Sequence, residues 1–280
     1  MPHTVATGND VPFVIYSRAF CGLMLRDFRV LSRELAPFLI RVAMNPLLFL
    51  FVFTYVMPHM SGGGTSPMAG IAASAGGFGT VLLPGLMAVA IMFSGIAAVA
   101  LPLSQEFGVT REIDDRVMCP LPIAAVAAEK IIFSAIQSVL AAALVFPLAY
   151  YIPSTPVLVH IASWPFLIAI VILASLVAGA LGLTIGTSVQ PKQIGLIFGV
   201  VVVPITFLGC VYYPWAGLKN IVWLKYAVLI NPIVYMSEGL RASLTPSAHM
   251  PNWFILTMLI FFLALLTRVG MRGFAKRVLS

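Results

Sequence analysis

Residues 78–103 carry no charged side chain, and neither do residues 131–191. Runs of that length leave a chain few choices. About 20 apolar residues cross a hydrocarbon core roughly 30 Å thick. No water is present there to satisfy backbone N–H and C=O groups, so the crossing segments must be helices. A membrane barrel would need polar and apolar residues to alternate, and these runs do not. Only 9% of the chain is charged and 61% is hydrophobic, against about 25% charged in a soluble domain.

The expected fold is all-α integral membrane, in one transmembrane domain. Six spans are read at about residues 37–57, 78–103, 124–151, 164–189, 193–212 and 252–271. The sixth has a clean apolar run of only 15 residues, 253–267, so Arg268 must snorkel toward the headgroups. A cytoplasmic tail and interfacial helix fill residues 1–35, the six-span bundle 36–272, and a second tail 273–280. The first apolar run starts past residue 35, behind charged residues, so no cleavable leader is expected.

Six spans place both termini on one side, and charge decides which. Thirteen of the 16 Lys and Arg residues fall on the side of the termini, and Lys219, Lys225 and Arg241 fall on the other. The bias of basic residues toward the cytoplasm then makes both termini cytoplasmic. The net charge of +7 follows from this orientation and needs no nucleic acid. Anionic lipid headgroups are the expected partners of the basic flanks. The three cysteines, Cys21, Cys119 and Cys210, form no disulfide framework or metal motif.

Three polar regions interrupt the apolar pattern. In the first, Phe20, Leu23, Met24, Phe28, Leu31 and Leu35 share one helical face, with Arg26, Arg29 and Arg33 opposite. That pattern predicts a helix lying in the membrane interface. Asp27 and Glu34 fall within or beside its apolar arc, and either border water, pair with a neighbouring Arg or meet a protein partner. The second is an island at 104–122, which holds six of the 25 charged residues between two uncharged spans. The third is the outer segment 213–251, read as two short re-entrant helices at 216–228 and 233–244, broken apart by Asn231-Pro232. Glu238 and Arg241 stand three apart on the second and can pair. Gly179, Gly182, Gly186, Gly195 and Gly199 recur at helical spacing; packing within the chain and a dimer seam both fit.

Several chemistries are missing. No span has an ionisable residue near its middle, where an ion-coupled carrier usually needs one. The histidines are scattered, and neither HExxH nor GxSxG occurs, so no catalytic or metal residue is assigned. None of the five lysines follows a glycine, so the chain has no P-loop. If ATP drives this protein, another polypeptide binds it.

Four motifs, in this order, carry a family resemblance. They are Arg26-Asp27-Phe28-Arg29 through Arg33-Glu34-Leu35 with Asn45-Pro46; Gln105-Glu106-Phe107-Gly108 through Arg116, ending in Pro120-Leu121-Pro122 and Glu129-Lys130; Phe207 through Pro214; and Asn231-Pro232 through Tyr235, with Glu238 and Arg241. Across about residues 20–275 the chain resembles the permease subunit of type-2 ABC transporters, the group of polysaccharide, nodulation-factor and drug exporters. Where that family often has Glu-Arg-Glu-Xaa-Gly, this chain has Gln-Glu-Phe-Gly.

The resemblance implies a coupling helix that meets a partner ATPase through Glu106, Phe107, Gly108, Thr110, Arg111, Glu112, Asp115 and Arg116. It implies an interfacial helix carrying Arg26, Asp27, Arg29, Arg33 and Glu34, and an outer re-entrant region carrying Asn231, Pro232, Tyr235, Glu238 and Arg241. ATP and Mg²⁺ would sit on the ATPase subunit, with none in this chain. A second permease chain, an amphiphilic cargo and a bacterial inner membrane are expected. A secondary carrier and a non-transporting scaffold are the alternative readings.

Overall fold

The computed structural model describes residues 11–56, 78–110, 121–151 and 159–278, and every regular element among them is helical. The principal helices are α1 (Val11–Arg33), α2 (Leu35–Leu50), α3 (Phe78–Gln105), α4 (Ile123–Tyr151) and α5 (Trp164–Ser188). They are followed by α6 (Ile194–Phe207), α7 (Val222–Ala227), α8 (Pro232–Leu244) and α9 (Asn252–Val278).

Apolar helices stand at all six expected positions, but among the described residues four have the length and composition to cross a membrane: Gly79–Gly108, Ile123–Leu148, Trp164–Ser188 and Asn252–Val278. The other two are shorter for local reasons. α2 contains Pro46 and passes into a wider π turn at Phe51–Val56. α6 is interrupted by a π turn at Phe198–Val202, just before Pro204. In α6 the carbonyl that Pro204 cannot reach is that of Val200, inside the π turn, and a widened turn is one way a helix absorbs that loss.

α3 is the central post. α2, α4, α5 and α8 all pack on it, and 72% of its apolar window is buried. Glycine makes the closest approach possible. A Cβ on Gly182 of α5 would lie 3.0 Å from the backbone of Gly95 and Ile96 on α3. Gly179 and Gly186 likewise face α4 and α3, so these three serve packing within the chain. Gly195 and Gly199 of α6 have no neighbour within 4 Å of a would-be Cβ.

Three features differ from the sequence expectation. α9 runs to Val278, past the expected end at 271, because Phe274 is buried and Arg277 is engaged by α5. The expected tail at 273–280 is thus helical through residue 278. The face of α1 expected to lie on lipid is partly covered by protein. Leu23 and Leu31 are buried, and Phe28 meets Phe133 of α4 edge to face at 5.4 Å. Leu35 lies beyond the break at Glu34 and is exposed, because the break rotates α2 out of register with α1.

Candidate functional site

Two buried ion pairs mark opposite ends of α3. They lie near Glu106 and near Gly85, positions 21 residues apart on the helix path, or roughly 30 Å at 1.5 Å per residue.

At the Glu106 end, a π turn over Glu106–Thr110 continues α3 into the polar island. Glu106 is buried, and one carboxylate oxygen accepts a hydrogen bond from Lys130 Nζ of α4 at 2.9 Å. α3 enters the island and α4 leaves it, so the ion pair closes the base of the island. The next residue, Phe107, sits edge-on to Phe274 of α9 at 6.1 Å, with the Arg277 guanidinium 4.7 Å from its ring centroid. Arg277 also donates to the carbonyls of Gly186 at 2.9 Å and Val189 at 2.8 Å. Carbonyls at a helix C-terminus lack partners within the helix, and a cation there offsets both the missing bonds and the dipole. Four helices are therefore fastened at one point, where α3 runs into the island.

This geometry separates the island residues. Glu106 and Phe107, expected on the ATPase contact, face inward, since their polar and aromatic groups are engaged by α4 and α9. Gly108 is exposed, and Thr110 ends the turn. Arg111, Glu112, Asp115 and Arg116 lie outside the described residues. On the interfacial helix, Arg26, Arg29 and Arg33 are exposed and Asp27 is half-buried. Glu34 is exposed in the break between α1 and α2.

At the Gly85 end, α8 is buried along its whole length. The Asn231 side chain caps it, accepting from the Ile233 N–H at 3.1 Å, while its amide donates to the Ile205 carbonyl at 2.6 Å. Pro232 occupies the first turn, where no N–H is needed. Tyr235 donates to the Leu229 carbonyl at 2.8 Å. Glu238 and Arg241 pair with both side chains fully buried. The Glu238 carboxylate accepts further bonds from the backbone N–H of Trp215 at 3.0 Å and of Met250 at 3.2 Å. Arg241 donates to the Cys210 carbonyl at 3.2 Å. Cys210 takes a left-handed backbone with φ 52°, reversing the chain after α6. Beside it, the Val211 carbonyl oxygen would lie 1.9 Å from any Cβ on Gly85. All five residues singled out in this region thus fasten the chain to itself.

The matched family model is that of the ABC-2 type transporter, over residues 18–245. The chain belongs to the ABC-2 type transporter family. It is a multi-pass membrane protein of the kind that serves as an ABC transporter's permease subunit, and the family works with an ABC ATPase partner. The match spans both ion pairs and stops before α9. A comparison with curated proteins gave no match.

Sequence reasoning assigned no role to Lys130, Phe274, Arg277 or Cys210 in these two sites. Lys130 stood in the sequence as a cytoplasmic charge at the end of the second motif and Arg277 as a cytoplasmic charge alone, and their partners lie 24 and about 90 positions away. The one available signal was that Lys130 sits about two turns inside an apolar helix rather than before it.

Proposed function

We propose that this permease is one of two membrane subunits of an ATP-driven exporter in a bacterial inner membrane. It moves an amphiphilic, lipid-like or drug-like molecule outward. In this reading α2 and α6 complete a six-span topology with both termini in the cytoplasm, and α7 and α8 form the outer re-entrant region. Six spans make half a pathway, so a second permease chain, identical or related, completes it. The exposed apolar face of α6, with Leu196, Val200, Val203 and Phe207 beside Gly195 and Gly199, offers a surface for that chain.

The observation that carries the proposal is the clasp beneath the island. A partner ATPase bound to Gly108, Thr110, Arg111, Glu112, Asp115 and Arg116 would push on a segment whose base is fixed to α3, α4, α5 and α9 together. A load applied there reaches the bundle through rigid helices instead of being lost in a loose loop. Closure of the ATPase dimer on ATP and Mg²⁺, both bound by that partner, would supply the differential contact that shifts the bundle between states. The spans carry no charge near their middles and are rich in Phe and Met, which suits a greasy cargo better than a free ion.

The test is export from cells or inverted vesicles under two treatments. ATP depletion should abolish export while an uncoupler of the proton gradient leaves it largely intact. The opposite pattern would point to a secondary carrier. A chain that neither transports nor stimulates any ATPase would be a scaffold.

A further inference from the structure

α4 and α9 both pack on α5 but touch each other only lightly, and a groove of about 710 Å³ opens between them. Leu176 of α5 helps form it, with Ile131 and Ile132 of α4 and Leu263 and Ala264 of α9. The α9 residues that line it form one stripe: Ile260, Leu263, Ala264, Thr267, Arg268, Met271 and Arg272. That stripe follows helical spacing and ends in two arginines at i and i+4. Arg268 and Arg272 are exposed, neither is held in an ion pair among the described residues, and no acidic residue lines the groove.

We infer that this groove holds one anionic phospholipid, with an acyl chain along the apolar stripe and the phosphate on Arg268 and Arg272. Depth along the membrane agrees. Counting from Asn252, Arg268 and Arg272 lie roughly 24 and 30 Å along α9, which places them at the far border of a hydrocarbon core about 30 Å thick. Ile260 and Leu263 lie well inside it. A cation pair at the headgroup level above an apolar slot is complementary to a lipid phosphate with its chain. A free anion would leave the apolar stripe uncovered, and a zwitterionic lipid would leave the arginine charge uncompensated. The lipid would bridge α4 and α9 on the same face as the clasp at Glu106 and Lys130, where the chain itself makes few contacts. The inference depends only on membrane residence and stands whether or not the export reading holds.

The test is native mass spectrometry of the full-length chain in mild detergent, titrated with phosphatidylglycerol or phosphatidylcholine of matched chains. The wild type should retain one phosphatidylglycerol at least five-fold more strongly than phosphatidylcholine. Glycerol phosphate without chains should not displace it. Arg268→Gln/Arg272→Gln should lose the preference, and Ala264→Trp should lose the bound lipid by filling the groove. Lys192→Gln/Lys276→Gln removes the same charge elsewhere and should keep it. Lipid-free melting of each variant checks folding; Arg268→Lys/Arg272→Lys, which keeps the charge, should restore binding if Gln merely unfolds the chain. Equal retention of both lipids by the wild type would overturn the inference. So would unchanged binding in the Gln pair, or efficient crosslinking of Ala264→Cys to a second copy.

Discussion

Glu238 and Arg241 are three residues apart on one helix and fully buried, whereas Glu106 and Lys130 join two helices across 24 positions at the rim of the polar island. The first pair gathers loops: Trp215, Met250 and Cys210 all bond to it through their backbones. It holds the end of α6, the approach to α9 and the body of α8 in one arrangement. The second pair joins α3 and α4 where the chain enters and leaves the polar island, and Gly108 is exposed two residues beyond it. Burying a charge pair does not by itself say whether it seals or transmits. What decides is the element it holds. A pair that binds its own loops acts as a seal, and a pair that joins two helices at the ends of a polar segment can act as a lever's pivot.

The largest effect is expected from breaking the seal. Arg241→Ala leaves the Glu238 charge buried without its partner, and losing one member of such a pair costs about 3–5 kcal/mol. Thermal unfolding in detergent should show a large loss of stability. Glu238→Ala should be comparable, since it strands the N–H groups of Trp215 and Met250. The double variant Glu238→Ala/Arg241→Ala should be less damaging than the sum of the two singles. Strict additivity would mean the pair is not a unit.

Lys130→Ala should destabilise somewhat less, by about 3 kcal/mol, at the low end of what losing one partner of a buried pair costs, since the Glu106 side chain keeps 6% exposure where Glu238 has none. Its transport defect should exceed that of a variant of equal stability elsewhere in α4. The swap Glu106→Lys/Lys130→Glu should recover part of both losses. If transport and stability fall in proportion, the pair is a fastening and the contrast with the seal disappears.

Smaller again is Arg277→Ala, which removes the cap on α5 and the cation over Phe107, together about 1–2 kcal/mol. Amide exchange should rise first in residues 184–188 and in the turn at Glu106–Thr110. Tyr235→Phe should have the smallest effect, about 1 kcal/mol, from loss of its bond to the Leu229 carbonyl. Export should be unaffected by it if the outer end is a seal.

Much of this contrast could be read from the residue order, and its limits have physical causes. Long uncharged runs revealed α3, α4 and α5 within two residues at each end, because a membrane permits only helices there. The Glu238–Arg241 pair was visible because helix geometry brings i and i+3 together. The Glu106–Lys130 pair was not, because its partners meet only after two helices dock. The length of α9 was underestimated because Arg268 and Arg272 look like an end to the apolar run, while burial of Phe274 carries the helix further. The short reach of α2 and α6 followed from prolines and wide turns whose effect on helix length depends on the neighbours.

The central claim is that the island above the Glu106–Lys130 clasp is where an ATPase grips this permease. It is tested most directly by co-purification. The tagged full-length chain is isolated with its ABC ATPase, as wild type and as the charge-reversed Glu112→Lys/Arg116→Glu, with lipid-free melting as the folding control. The account predicts that the wild type retains the ATPase and that the reversed chain loses it while melting unchanged. Equal retention by both, with export intact, would contradict it.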